Sequence, residues 1–360
     1  MNEQPKRQIF RSRRQAVGVV VSILLLVVVV ACLVIPIPWF TISPGMSRAT
    51  EPLIAVEGAP IYDNEGAVDF LTVSMRRATP IEALAAWINP TFVLRSEKEA
   101  LGNQTQSENR QLNLQLMTES KDAAQYQALT RLGYDVPMQG TGAVVASVVP
   151  DSPASQELVV GDVIVRANGR EIETSRQFVQ FVAEQKPSSV VTLDLEPFSD
   201  ELEQAKPARQ VRVTLGARNE NPQLAFLGVS TFTRNLTFAF PVTVNINSGA
   251  VGGPSAGLAF TLGILDKLTP GSLTGGLKIA TTGTMALDGT VGPIGGMPQK
   301  VAAARRNGVK LMLVPSSELS EAQKYAGDLP IVGVANLDEA LEALTRYGGG
   351  NAVLPPKANN

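Results

Sequence analysis

The sequence predicts an α+β protein held behind a single N-terminal transmembrane helix, with a β-rich domain in mid-chain and a mixed α+β domain after it. Three observations carry that prediction. From Ala16 to Ile35 the chain is apolar except for Gly18 and Ser22, long enough to cross a hydrocarbon core of ~30 Å as a helix. From about residue 125 to 217, short apolar runs alternate with Gly, Ser-Pro and Asn-Gly punctuation, the texture of strands joined by tight turns. From about 218 to 347, strand-like runs are interleaved with apolar helical segments.

Composition narrows the class. A chain of 360 residues that is 44% hydrophobic and 18% charged is a folded one, long enough for two or three domains. Its formal charge is −2, and its basic cluster, Lys6, Arg7, Arg11, Arg13 and Arg14, sits at the extreme N-terminus, so no nucleic-acid surface is expected. The single cysteine, Cys32, lies in the apolar run, leaving no disulfide framework and no cysteine metal site; neither cofactor nor metal is expected. The basic cluster precedes the apolar run and no basic residue follows until Arg48, so the positive-inside rule places residues 1–15 in the cytoplasm and the chain beyond the 16–38 anchor outside. A cleaved signal is the competing view. Val29-Val30-Ala31-Cys32 resembles a lipoprotein cleavage box, but apolar residues continue past Cys32 and no small-x-small site follows.

Residues 39–124 read as a strand hairpin followed by a helical connector. Leu53-Ile54-Ala55-Val56 and Ala67 to Val73 are strand-like and flank the turn-rich Asp63-Asn64-Glu65-Gly66. Ile81 to Leu132 lacks glycine except Gly102 and carries helical spacing late, at Leu112, Leu114, Leu116, Met117, Ala124 and Leu129. It reads as a solvated connector or packing arm.

Residues 125–217 then run strand (Gly142 to Val149), turn and short helix (Asp151-Ser152-Pro153-Ala154), and an arm from Gly161 to the Asn168-Gly169 hairpin turn. An amphipathic helix, Ser175 to Gln185, follows, with strands at Val190 to Leu195 and Val211 to Leu215. This order, with its Ser-Pro-Ala and Gly-Asp-Val-Ile marks, resembles a bacterial PDZ domain. The resemblance implies capture of an extended peptide C-terminus as an added strand, its carboxylate held by backbone amides, here assigned to the loop Pro137 to Gly142. A PDZ fold serving as an oligomer contact or a gate is the alternative.

The chemistry is expected in residues 218–347. Phe240 to Ile246 alternates like a strand, a loop rich in glycine runs from Ser248 to Gly253, and Ser255 opens an apolar helix, Ala256 to Leu268. Gly253-Pro254-Ser255-Ala256-Gly257 has the Gly-x-Ser-x-Gly form of a nucleophile elbow, which requires a histidine base; the chain contains no histidine. The other way to activate a serine is a lysine amine held neutral. Lys300 follows Gly295-Gly296-Met297-Pro298, in the first turn of a helix running to Arg306 and closed by Gly308. There the helix dipole and apolar neighbours both disfavour an ammonium ion. Amides around Gly252, Gly253 and Ser255 would hold an oxyanion. Asp288-Gly289 is expected to turn a hairpin between Leu277 to Leu287 and Thr290 to Ile294. Taken singly, Ser255 is an ordinary helix N-cap and Lys300 an ordinary surface cation; it is the pair that suggests catalysis.

Gly253-Pro254-Ser255-Ala256-Gly257, Thr282-Gly283, Gly292-Pro293-Ile294-Gly295-Gly296, and Lys300 with Ala302-Ala303-Ala304 and Gly308 together resemble the proteolytic domain of Lon proteases. The resemblance implies Ser255 as nucleophile, Lys300 as general base, Thr282 orienting the amine, an α+β fold and a hexameric assembly. Val251-Gly252 stand where ATP-driven Lon proteins often carry a Lys-Asp pair, and no Gly-x4-Gly-Lys-[Ser/Thr] phosphate loop occurs in this chain. With the anchor, the Ser43-Pro44-Gly45 entry and the PDZ region, the chain resembles the membrane-anchored, PDZ-containing Lon-like serine proteases of bacteria. The expectation is therefore an ATP-independent, single-pass, extracytoplasmic serine endopeptidase acting on peptides or loosely folded proteins. Its alternatives are a catalytically silent, membrane-tethered PDZ adaptor and a tail-specific Ser-Lys protease, the latter needing its dyad in another motif context. The glycine, proline and asparagine of residues 348–360 suggest a disordered tail.

Overall fold

The computed structural model describes residues 13–102, 104–198, 207–218, 221–348 and 352–355. These form two compact units: one from the residues up to 134 together with those from 242 onward, the other from Asp135–Pro241. In chain order the helices are α1 (Arg13–Val34), α2 (Pro80–Ile88), α3 (Glu97–Leu101), α4 (Gln106–Arg131), α5 (Ser175–Ala183), α6 (Gly257–Leu268), α7 (Met297–Arg306), α8 (Leu319–Gln323) and α9 (Leu337–Arg346).

The first unit is built on a mixed sheet ordered Ile331–Val334, Leu311–Pro315, Lys278–Thr281, Ala67–Arg77, Trp39–Ala49, Val93–Ser96. The first four strands are mutually parallel and the last two add antiparallel. Successive side chains point to opposite faces of a strand, and the core divides accordingly. Phe70, Ile279, Leu311 and Leu313 pack with α4, α6 and α9. Leu71, Ala280, Met312 and Val314 pack with α7 and α8 on the other face. The result is a sheet sandwiched between helical layers, with α6 and α7 on opposite sides.

This arrangement corrects the expected hairpin. Ala67–Arg77 lies at the centre of the sheet, and Ile54–Glu57 pairs instead with Thr243–Ile246. Val68, Asp69, Phe70 and Leu71 form an unbroken buried run, the mark of a central strand covered on both faces. Its neighbour Trp39–Ala49 escapes sequence patterning because Pro44 and Gly45 sit mid-strand; a register shift between Pro44 and Ser47 absorbs them. The connector is likewise replaced by α2, a strand, α3 and α4. Leu112 and Leu114 are exposed, whereas Met117, Ser120, Ala124 and Ala128 are buried against the core.

The second unit is a sheet ordered Arg209–Thr214, Val190–Pro197, Asp162–Ala167, Ala143–Val148, Val229–Thr233, with α5 packed on it. Asn168 and Gly169 both have positive φ (50° and 79°), as a hairpin turn matched to strand twist requires. The expected limits of 125 and 217 therefore move. Residues 125–131 belong to α4, and Val229–Thr233 completes this sheet rather than opening the next domain.

α1 contains an 18-residue window, Val17–Val34, of mean hydropathy 3.4 with none of it buried; it fits a membrane anchor or a signal sequence. Most of the basic N-terminal segment and most of the 348–360 tail lie outside the described residues. Ala352–Pro355 is not free chain: Val353 donates to the Pro270 carbonyl (3.1 Å), Arg131 to that of Pro355 (2.6 Å), and Ala352 and Leu354 pack on the core.

Candidate active site

The site forms where the sheet ends. Lys278–Thr281 delivers Thr282 at its C-terminal end, a 3-10 turn, Pro254–Ala256, leading into α6 brings Ser255 from one face, and the first turn of α7 brings Lys300 from the other. In sheets of parallel strands, that end is where helices diverge and leave a crevice.

Lys300 Nζ lies 2.7 Å from Ser255 Oγ and 2.9 Å from Thr282 Oγ1. The Thr282 hydroxyl donates to the Ser255 carbonyl (3.2 Å), so its lone pairs face the amine. Gly283 also donates to that carbonyl (3.0 Å), fixing the serine turn to the strand end. Lys300 is 2% exposed and Thr282 0%. Burial lowers the Lys300 pKa to about 7, partly offset by the negative charge of Glu318, which favours the ammonium form. Pro298 sits in the first turn of α7, whose cap, Gly296, is left-handed.

The loop before Ser255 differs from the expected oxyanion cradle. The Gly253 amide donates to the backbone carbonyl of Asn113 in α4 at 2.7 Å, so in this state it is not free for a substrate oxygen. A Cβ on Gly252 would lie 2.9 Å from that of Asn113, so glycine is needed for the close approach of α4. Ser120 Oγ donates to the Pro254 carbonyl (2.9 Å). Sequence reasoning missed Asn113 and Ser120. The available signal was small side chains at Ser120, Ala124 and Ala128, a stripe that permits close helix packing.

A cleft of about 1280 Å³ opens over the site, with Met46, Phe70, Val73, Asn113, Ser255 and Lys300 among its lining residues. Beyond Ile42, Trp39–Ala49 has no second strand on that edge among the described residues, and its Gly45, Met46 and Arg48 line the cleft.

The Asp135–Pro241 unit has its own groove of about 220 Å³, between α5 and residues 224–231, lined by Phe178, Val182, Leu224, Phe226, Val229 and Arg218. Val229–Thr233 is the edge strand there. The expected loop, Pro137 to Gly142, is elsewhere: Met138–Gln139 pairs with Thr237–Phe238, and the amides of Thr141 and Gly142 donate to Arg234 and Glu173 carbonyls. Phe226-Leu227-Gly228-Val229, with Gly228 at φ +89°, lines this groove instead. Preceded by the two-residue strand Ala225–Phe226 and running straight into Val229–Thr233, it offers no strand-length pattern of its own.

Comparison with known proteins finds a domain of each kind, the Lon-type match beginning at residue 231, inside the Val229–Thr233 strand of the second unit. Residues 231–346 match the Lon protease (S16) C-terminal proteolytic domain, and residues 130–203 match a PDZ domain. The chain carries a Lon-type proteolytic domain and a PDZ domain. The Lon protease of Rickettsia bellii (strain RML369-C) is 35% identical over 114 residues, which is 30% of this chain and 14% of that protein. The Lon protease of Desulfatibacillum aliphaticivorans is 35% identical over 109 residues, 29% of this chain and 13% of that protein. The chain thus spans about 14% of the length of the first of these curated relatives. Among solved structures, the PDZ domain of an SdrC-like protein from Listeria monocytogenes is 23% identical, covering 25% of this chain and 87% of that one at a TM-score of 0.22. The Lon-type domain is a peptidase domain, and together the two domains point to protein or peptide substrates.

Proposed function

We propose that this protein is an ATP-independent, membrane-anchored serine endopeptidase working outside the cytoplasm through a Ser255–Lys300 dyad. One observation carries the reading: an amine with 2% exposure and a pKa near 7 lies 2.7 Å from a serine hydroxyl at a cleft. Neutral Lys300 accepts the Ser255 proton as Oγ attacks the scissile carbonyl carbon. The carbonyl oxygen becomes an oxyanion, held by the Ser255 amide in the turn before α6 and the Gly252 amide in the loop preceding it, and joined by Gly253 once α4 releases it. Lys300 then protonates the leaving amine nitrogen, the C–N bond breaks, and an acyl-enzyme remains. Lys300, neutral again, takes a proton from water as its oxygen attacks the ester carbon; the C–Oγ bond then breaks, the acid product leaves, and Lys300 returns the proton to Ser255 Oγ. Thr282 is a positioning residue: it accepts one N–H and aims the lone pair at Ser255.

The open edge of Trp39–Ala49 suits a substrate bound as an extended strand, and the PDZ groove suits capture of a C-terminal tail, with the Arg218 cation and the Phe226 to Val229 backbone available for its carboxylate. Such capture would deliver substrate or gate the site. α1 is read as a retained anchor with its N-terminus inside, and the assembly as a homo-hexamer on the resemblance to Lon. ATP independence rests on the lack of a phosphate loop in this chain.

The test is cleavage of unfolded casein by the full chain in detergent, without ATP, beside Ser255→Ala and Lys300→Ala variants with unchanged circular dichroism. Loss in both supports the dyad. A silent wild type that still binds C-terminal peptides would instead favour the adaptor.

A further inference from the structure

α2 is a helix with its apolar side turned outward. None of its residues is buried, and Ile81, Leu84, Trp87 and Ile88 are 46%, 55%, 85% and 72% exposed. At about 100° per residue these four share one stripe about 120° wide. The helix's single charge, Glu82, is occupied internally: it accepts from the Thr79 amide (3.0 Å) and pairs with Arg76. A solvated helix of this length has no reason to display its largest apolar side chains together.

Its position supplies the reason. Between the end of α1 at Val34 and the start of the sheet at Trp39 the chain is tied down at once. The Ile37 amide donates to the Ala78 carbonyl (2.8 Å) and the Ala78 amide to the Trp39 carbonyl (2.8 Å). α2 begins two residues later, at Pro80. α1 and α2 meet at this corner, with residues of the two helices within 8 Å of each other Cα to Cα. The chain's two tryptophans, Trp39 and Trp87, both belong to this corner, and both are exposed, Trp39 at 43%. Tryptophan concentrates at the boundary between headgroups and acyl chains, where an apolar ring with one polar N–H is best accommodated.

We propose that α2 is an interfacial helix, lying in the headgroup layer of the bilayer that α1 crosses with its Ile81, Leu84, Trp87 and Ile88 stripe among the acyl chains. This rests on α1 being retained as the span. Anchor and helix together give the proteolytic unit two attachments to the membrane, which fixes its tilt where a lone span would leave it free to swing.

The test uses the full chain with Trp39→Phe, so that Trp87 is the only tryptophan, reconstituted into phosphatidylcholine–phosphatidylglycerol vesicles. Expected are a blue-shifted Trp87 emission, strong quenching by lipid brominated near the headgroup end of its acyl chains, weaker quenching by lipid brominated near the methyl end, and protection from aqueous iodide. Leu84→Glu with Ile88→Glu should abolish that shift and protection while alkaline carbonate still fails to extract the chain. A water-like emission quenched by iodide would overturn the proposal. So would emission protected from both lipid and aqueous quenchers, with Trp87→Cys crosslinking between copies, since the stripe would then be a subunit contact. Extraction of the parent chain by carbonate would defeat the anchor reading itself, and the proposal with it.

Discussion

Lys300 and Asp162 are both charged residue types buried to the same depth, at 2% and 1% exposure, yet they do opposite things. Asp162, in the PDZ unit, is answered completely: Arg209 donates to both carboxylate oxygens (2.8 and 2.6 Å) and the Val159 amide adds a third bond (2.8 Å). Lys300, in the proteolytic unit, has hydroxyl partners and no carboxylate within ion-pair distance among the described residues. A buried charge that is paired and hydrogen-bonded is architecture. A buried amine with no carboxylate within ion-pair distance is more easily deprotonated, and in its neutral form beside a hydroxyl it has the chemistry of a base.

That contrast is broken most directly by replacing each group. Lys300→Met should reduce casein cleavage by three orders of magnitude or more, as loss of a dyad member does, while raising Tm. An amine with a folded-state pKa near 7 against an ordinary 10.5 sheds its proton on folding. Native stability is therefore penalised in full below pH 7, and the penalty fades as pH rises towards about 10. The Tm difference between Lys300→Met and wild type should accordingly shrink between pH 7 and 10, measured by calorimetry, and cleavage by wild type should rise with pH to a plateau with a midpoint near 7. A flat profile would mean that the amine is not the base.

Asp162→Ala should go the other way. It leaves Arg209 unpaired and costs about 3 kcal/mol, seen as faster hydrogen exchange in Ala143–Val148 and Asp162–Ala167, with casein turnover unchanged. Thr282→Val should lower kcat about tenfold, the worth of one buried hydrogen bond to the amine, leave KM unchanged, and be largely rescued by Thr282→Ser. The smallest effect belongs to Gly252→Ala. Its methyl would press on Asn113 of α4, and a roughly fivefold loss of kcat is expected from about 1 kcal/mol of overpacking. An unchanged rate would mean that α4 does not set the loop.

How much could be read in advance differs between the two units in the same way. The PDZ unit is one continuous segment, so its strands, its Asn168-Gly169 turn and α5 announce themselves by local pattern. Its first residues, its last strand and its groove loop fall elsewhere than expected: residues 125–131 continue α4, and Val229–Thr233 returns to the sheet after an excursion of more than ten residues. The proteolytic unit is discontinuous. Ser255, Thr282 and Lys300 were legible from their motifs, but the central strand Ala67–Arg77, the bulged Trp39–Ala49 and the supporting α4 come from more than a hundred residues earlier, and no local period records such pairing.

The sequence by itself determined the chemistry available: no histidine, a serine at a helix start, a lysine in a first turn after two glycines, and an apolar span. Residue type and local spacing suffice for these, because caps, turns and helix periods are interactions between near neighbours. Only the tertiary structure decided that Lys300 is buried and lies 2.7 Å from Ser255, that Asn113 holds the Gly253 amide, and that α2 turns its apolar face outward. Each of these depends on which distant segments exclude water from a group, and a one-dimensional pattern carries no measure of that.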